Sequence, residues 1–458
     1  MHLFLYLRNF SILSTKLLKS GNKRSENLKK NIAGSLVVKG FNIIIQFLLV
    51  PITLHYLDAN VYGIWLTLSS IVLWIGFFDV GFTLGLKNKL AEAIAKGDFI
   101  KGKKLVSTTY ITLSVIFIPL CIILEFIVPH VDWSSFLNVP QIYNHQITLV
   151  MHILILCVSI QMVANTIGAV VAAFQKVAIS NSFTVIGNFI SLIIVYILTK
   201  TTTPSMLYLS LTVSFAPVFV MIVASLFLYN RNLRTIRPSM RCFDKTFIRE
   251  ILGLGIKFFI INIQVVVMYQ STNILISNIS SSLDVTSYNI AYKYITSAMM
   301  ILANIMSPFW PAFTEAYTKQ DFKWMNNIFR KLSKLYSLIC ISIIVMVLVS
   351  PFVYSIWIGD SKLVPWKMTI SIGIYSIVES WFYIIAYLIN GIGTVKLQSI
   401  ISPVGMLVHI PLSLFLGQYI GAIGVVASMT MLALIYNLVF TIQLQKILKG
   451  KATDIWLK

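Results

Sequence analysis

Two lysine–glutamine pairs stand out in a chain that is otherwise poor in charge. Lys39 and Gln46 are seven residues apart, and Lys257 and Gln264 repeat that spacing. On an α-helix such a spacing places both side chains on one face, about two turns apart. A lysine inside an apolar segment costs about 2.5–3.5 kcal/mol on insertion scales, so it normally faces a cavity or a partner. Two such lysines at equivalent positions would face each other and form a cationic lumen suited to an anionic group. Lys293 is a third cation within an apolar stretch, near the outer start of the expected 288–314 segment, where it reads as an interface lysine. The competing reading is that each lysine snorkels to the nearer interface. Lys39 lies about eight residues, roughly 12 Å, into its segment, which is within snorkelling reach.

Acids within the apolar segments are few: Asp79, Glu125 and Glu379. Glu379 falls near the middle of its segment, where a carboxyl suits ion or proton coupling. Asp79, in Phe78-Asp79-Val80-Gly81, is a second coupling candidate; its plainer role is an ion pair with a loop cation such as Lys87. Glu125 is expected to be solvated near a segment end, and His152 and His409 to be packing histidines. Cys121, Cys157, Cys242 and Cys340 form no CxxC or Cys/His spacing. With no GxxxxGK[ST] and no DxD either, no metal and no cofactor is expected.

The elements that carry these residues follow from composition. Of 458 residues, 57% are hydrophobic and 11% charged, and the mean hydropathy is +0.85. Soluble domains carry about 25% charged residues. A soluble enzyme, a disordered chain and a disulfide scaffold are therefore excluded. A transmembrane β-barrel is excluded as well, because these segments are apolar all round rather than alternating. The expected fold is an all-α polytopic membrane protein of twelve helices: 31–56, 61–86, 105–128, 147–173, 182–199, 206–229, 251–277, 288–314, 335–358, 367–390, 398–416 and 422–444.

The net charge of +21 belongs to the loops. Thirty of the 36 Lys and Arg lie on one side if residue 1 is inside, a strong positive-inside signal that puts both termini in the cytoplasm. The charge is thus a membrane signature, and no nucleic acid is expected. Residues 1–30 hold seven Lys/Arg and read as a cytoplasmic lead-in lying on anionic membrane lipid. Trp133, Trp357 and Trp366 fall at expected outer boundaries, as an aromatic belt would.

The chain also repeats itself in order. Lys39 to Gln46 and Lys257 to Gln264 share K-x-F-x-I-x-I-Q; Asp58 to Tyr62 matches Asp284 to Tyr288; Glu92 to Phe99 and Glu315 to Phe322 share E-A-x-x-K-x-D-F. Residues 31–229 and 251–444 are then two six-helix bundles, joined by a cytoplasmic linker at 230–250 and followed by a basic tail at 445–458. Because six is even, both halves enter the membrane alike, and their pseudo-two-fold axis runs along the membrane normal. That is a plan of alternating-access transporters.

Four segments carry a family resemblance. They are Asn31 to Ser35, Leu57 to Gly63 with Phe78 to Gly81, and Asn390 to Gln398. Over about residues 31–444 the chain resembles the bacterial polysaccharide or O-antigen flippase (Wzx-type) family of the multidrug/oligosaccharidyl-lipid/polysaccharide exporter superfamily. The resemblance implies translocation of undecaprenyl-pyrophosphate-linked oligosaccharide across the bacterial inner membrane, alongside other polysaccharide-assembly membrane proteins, by a monomer that is not an enzyme. Its doubly charged linker would meet Lys39, Gln46, Lys257, Gln264 and Lys293, with Glu379 and Asp79 left for ion coupling. Four alternatives remain. A cation-coupled drug exporter would need carboxylates where Lys39 and Lys257 stand. A peptidoglycan-precursor flippase would have fourteen spans. A polymerase or ligase would need a large outer loop, and the longest outer loop spans only about 129–146. A membrane scaffold is the fourth.

Overall fold

In hydrocarbon every backbone N–H and C=O must be satisfied within its own segment, so long apolar stretches fold as helices. The computed structural model describes the backbone of residues 23–79, 81–306, 309–394 and 396–456, and among these there is no strand. The helices are α1 (Lys23–Leu57), α2 (Ala59–Leu73), α3 (Phe82–Ala95), α4 (Phe99–Ile127), α5 (Trp133–Leu137), α6 (Asn144–Ala164), α7 (Thr166–Ala173), α8 (Val177–Thr201), α9 (Met206–Asn230), α10 (Thr246–Ile279), α11 (Ser282–Met306), α12 (Phe309–Thr318), α13 (Phe322–Trp357), α14 (Trp366–Ile392), α15 (Lys396–Ile420) and α16 (Ala422–Leu448).

Ten described helical segments are long and apolar enough to cross a membrane, and they coincide with ten of the expected spans. The other two expected spans fall on α10 and on α11 with α12. Many side chains of α10 lie outside the described residues, and α11 and α12 flank positions 307–308, which also lie outside them.

Several expected boundaries move, and two of the shifts reshape the first half. The first helix begins at Lys23, inside the lead-in assigned to 1–30; residues 1–22 lie outside the described residues. The second expected span, 61–86, is broken: α2 ends at Leu73, a 3₁₀ turn covers Trp74–Asp79, and α3 starts at Phe82. Gly81 has φ +81°, a left-handed conformation that glycine adopts without a Cβ penalty and that ends the turn. The aromatic belt is also thinner than expected. Trp133 is buried, with its indole N–H donating to Val128 O, and the Trp357 indole donates inward to Phe47 O.

The E-A-x-x-K-x-D-F segments fold into the same corner twice. Glu92 pairs with Lys96 at 2.8 Å, and Glu315 pairs with Lys319 one helical turn on. Gly97 and Gln320 then take positive φ, and Asp98 and Asp321 cap the next helix by accepting from the N–H of Lys101 and Trp324. A short cap residue at that place satisfies an orphan helix-end donor, which is why Asp stands in both copies.

One large apolar core runs from Met268 to Ala452, and another from Ile64 to Ile251. Each borrows a residue across the chain midpoint: Val50 of α1 joins the first, and Ile251 of α10 the second. Among the described residues, two glycines permit close approaches between the halves. A Cβ on Gly63 of α2 would sit 1.8 Å from Ser282 O, and one on Gly85 of α3 would sit 2.2 Å from Ile251 O. The Gly63 contact lies at the end with short, charge-poor connections. The Gly85 contact lies at the opposite end, which carries the basic loops; there Glu250 pairs with Lys101 and Lys89, and Asp244 with Lys104.

The seam between α1 and α8 keeps one register. Asn181 Nδ2 donates to Ser35 Oγ, Asn188 Nδ2 donates to Asn42 Oδ1, and Tyr56 OH meets Thr202 Oγ1, each at 2.9 Å and each 146 residues apart. Partners that advance in multiples of seven on both helices follow coiled-coil geometry.

Candidate functional site

Polar side chains gather in two places. The first is the seam between the two halves. Asn273 of α10 is buried and donates to Ser70 Oγ of α2 at 2.7 Å, while its carbonyl accepts from Asn289 of α11 at 2.8 Å. One turn along α11, Lys293 Nζ donates to the backbone carbonyl of Gln46 at 3.2 Å and to its Oε1 at 3.4 Å. Near the charge-poor end, Thr286 donates to Ala59 O at 2.6 Å and Ser277 to Leu137 O at 2.8 Å. These buried hydrogen bonds satisfy groups that hydrocarbon would leave unpaired, and they close that end of the seam.

The second is a cavity of about 450 Å³ among α1, α3, α8, α9 and the α6–α7 break, towards the basic end. Lys39, Asn42, Thr83, Asn165, Ser180, Asn181 and Thr184 supply its polar lining. Lys39 is exposed there and has no ion-pair or hydrogen-bond partner among the described residues. One cation amid amides and hydroxyls, with no carboxylate in the lining, suits a phosphate and the hydroxyls of a sugar.

The expected site residues therefore separate. Gln46 and Lys293 come together. Lys39 sits apart from them, in the cavity. The side chains of Lys257 and Gln264 lie outside the described residues. Lys293 is deeper than its expected interface position, because α11 begins at Ser282 rather than near 288. The first turn of that helix is set by Asp284, which accepts from the Ser280 and Ser281 hydroxyls. Lys293 then lies about three turns in, roughly 16 Å.

Two acids also depart from expectation. Asp79 pairs with no lysine among the described residues. It accepts from the Thr83 hydroxyl at 2.8 Å and from the Thr83 N–H at 3.3 Å, because the break at Gly81 turns it onto the start of α3. Glu125 is half-buried and pairs with His152 of α6 rather than with solvent, and its Oε1 is buried without a partner among the described residues. His152 is thus an ion-pair or proton-sharing partner, while His409 does pack, meeting Ser428 at 3.0 Å. Glu379 lies on α14 beside Tyr436. Its carboxylate has no hydrogen bond or ion pair among the described residues. Next to it, Asn437 donates to Val378 O at 2.8 Å and leaves its Oδ1 buried and unpartnered among the described residues.

Sequence reasoning passed over the amide ladder and the cavity beside it. The signal was present: Ser35, Asn42 and Tyr56 are spaced by multiples of seven, as are Asn181, Asn188 and Thr202.

Comparison with known proteins places this architecture. The polysaccharide biosynthesis protein family matches over residues 28–317, more than half of the chain. A Yersinia pseudotuberculosis protein named for O-antigen export is 22% identical over 360 residues, covering 78% of this chain and 81% of that protein. Among solved structures, the inward-facing conformation of a multidrug resistance MATE family transporter of the MOP superfamily aligns with a TM-score of 0.73 at 13% identity, covering 92% of this chain and all of that one (100%). A MOP superfamily transporter from Pyrococcus furiosus, described for the reverse polarity of its binding pocket, aligns at 0.61 and 13% identity, covering 95% and 100%. At such identities the structures establish the fold, which is MATE-like. The chain belongs to the polysaccharide biosynthesis protein family.

Proposed function

We propose that this protein flips a polyprenyl-pyrophosphate-linked oligosaccharide from the cytoplasmic to the outer leaflet of the bacterial inner membrane by alternating access. The observation that carries this reading is the amide-lined cavity with Lys39 as its one described cation, lying towards the basic end while the charge-poor end of the seam is closed. With the basic end cytoplasmic, this is the state that receives substrate. The pyrophosphate meets Lys39, the sugar hydroxyls meet the amides, and the lipid tail stays in the bilayer. Hydrocarbon alone cannot solvate either polar group.

In this reading twelve spans form two six-helix bundles, 31–229 and 251–444, with both termini cytoplasmic. Gln46 and Lys293 form the hinge-side contact that breaks as the seam opens, and Lys257 and Gln264 complete the polar path. Glu379 is the coupling carboxyl, and Asp79 holds the α2–α3 break. The protein works as a monomer beside other polysaccharide-assembly proteins, and its basic lead-in rests on anionic lipid. A second reading, a cation-coupled drug exporter, draws on the unpaired Glu379 carboxylate; the cationic cavity lining favours the first.

The test is complementation of a bacterium deleted for its own O-antigen flippase, supplied with glycosyltransferases from the native host. Outer-leaflet oligosaccharide is read with a membrane-impermeant probe. Restored signal supports flipping. No restoration despite normal membrane expression would discard it.

A further inference from the structure

Outside the two polar regions, a smaller cavity of about 280 Å³ lies at the basic end between α4, α9 and the linker that follows α9. Tyr110, Ser225, Tyr229, Asn230 and Arg237 line it. Tyr229 OH donates to Tyr110 OH at 3.4 Å, with the rings edge to face at 6.1 Å, so the floor is a fixed pair of phenols. Arg237 Nη1 donates to Asn230 Oδ1 at 3.0 Å. That is its one side-chain hydrogen bond among the described residues, and the acceptor is a neutral amide. Both linker acids are engaged elsewhere, Asp244 with Lys104 and Glu250 with Lys89 and Lys101. The guanidinium is thus oriented but not neutralised.

Below the cavity, towards the membrane interior, α9 presents an apolar lane. Phe215, Phe219, Val223 and Leu226 recur every three or four residues, and each is exposed, Leu226 at 62%. A cation with phenols at headgroup height above an apolar lane matches a lipid whose phosphate is anionic and whose chain runs along the helix.

We propose that this cavity binds one anionic phospholipid of the leaflet at the basic end, with its phosphodiester on Arg237 and an acyl chain along the Phe215–Leu226 lane. The site lies on the outer surface of the α4–α9 pair and does not depend on the flipping reading. A guanidinium can hold two phosphate oxygens at once, and the phenols accommodate the glycerol edge.

The test uses the purified full chain in a neutral detergent. Phosphatidylglycerol or phosphatidylcholine is added, and retained lipid is counted by native mass spectrometry. The wild type is expected to retain phosphatidylglycerol in preference to phosphatidylcholine. Arg237→Ala, at an exposed position that folding tolerates, is expected to lower retention about fivefold, the effect of one interfacial arginine. Arg231→Ala is expected to change little, because that guanidinium lies over the Phe227 ring at 4.6 Å and outside the cavity lining. Equal retention of the two lipids, or equal losses in both arginine variants, would reduce the effect to diffuse attraction and overturn the site. Displacement of phosphatidylglycerol by an equal concentration of farnesyl pyrophosphate would assign the cavity to a pyrophosphate lipid and overturn the proposal too.

Discussion

Lys293 of α11 and Gln46 of α1 hold each other across the two halves, with Nζ 3.2 Å from the Gln46 backbone carbonyl and 3.4 Å from its Oε1. The backbone acceptor survives any substitution at Gln46, so the lysine matters more than the glutamine. Lys293→Ala is expected to lower flipping about tenfold, and Gln46→Ala less. Coupled residues are non-additive. The double variant should therefore be no worse than Lys293→Ala alone in the outer-leaflet assay; losses that multiply would show that the two act independently.

Lys39 is exposed in the amide-lined cavity with no acid beside it in the lining. Lys39→Ala should leave expression and folding unchanged, because no described contact is lost. It should lower transport by about tenfold or more, the loss expected for one charge-assisted contact. Combining it with Lys257→Ala should abolish transport. Full surface-polysaccharide production by the double variant would discard the cationic path.

Gly63 has no room for a side chain, since a Cβ would sit 1.8 Å from Ser282 O. Gly63→Val should destabilise the closed end by about 1–3 kcal/mol, the usual cost of overpacking. The readouts are a lower melting temperature in detergent and faster maleimide labelling of a Ser70→Cys reporter, a position that is now buried.

Glu250 ties α10 to Lys101 at 2.9 Å and Lys89 at 3.5 Å, yet its side chain is 28% exposed. Partly exposed pairs contribute little, so Glu250→Gln should cost no more than about 1 kcal/mol. The difference from wild type should shrink in about 1 M salt, where screening reaches a few ångströms. A large, salt-independent loss would point to a packing role for Glu250.

Asp132 in the α4–α5 connection accepts from the Ser134 and Ser135 hydroxyls, the Ser135 N–H and Gln141. These donors hold its carboxyl well below the usual carboxylate range, with the Ser134 hydroxyl the largest contributor. A depressed folded-state value stabilises the loop above the unfolded value, about 3.9 for Asp, and loses that contribution as pH falls through the folded value. Limited proteolysis of residues 128–143 should thus be flat from neutral pH down to about 4 and rise only below it. Asp132→Asn should raise cleavage at neutral pH.

Helix positions were legible because a stretch of about 20 apolar residues has few other fates in a membrane. The repeated corner was legible too, since Asp98 and Asp321 cap helices through local chemistry alone. What depends on which helix meets which was not. Glu125 read as solvated because its sequence position is near a helix end, but its partner His152 comes from another helix. Lys293 is a different case: it reads as interfacial from a helix start near 288, whereas the local Ser280–Asp284 contact sets the start of α11 at Ser282. Asp79 reads as a salt-bridge partner only on a continuous helix, and the local break at Gly81 turns it onto Thr83 instead.

The constant 146-residue offset of the α1–α8 ladder limits how these helices move against each other. Shifting α1 lengthwise by one residue would unseat Ser35, Asn42 and Tyr56 together, and even a full heptad shift, about 10 Å, would offer a polar partner to only one of the three, since Asn42 or Tyr56 would then face Val195. No transport step has that travel available in small increments. α1 and α8 must therefore ride as one rod, and any change in the shape of the Lys39 cavity comes from the rod leaning as a unit or from α3, α7 and α9 swinging around it.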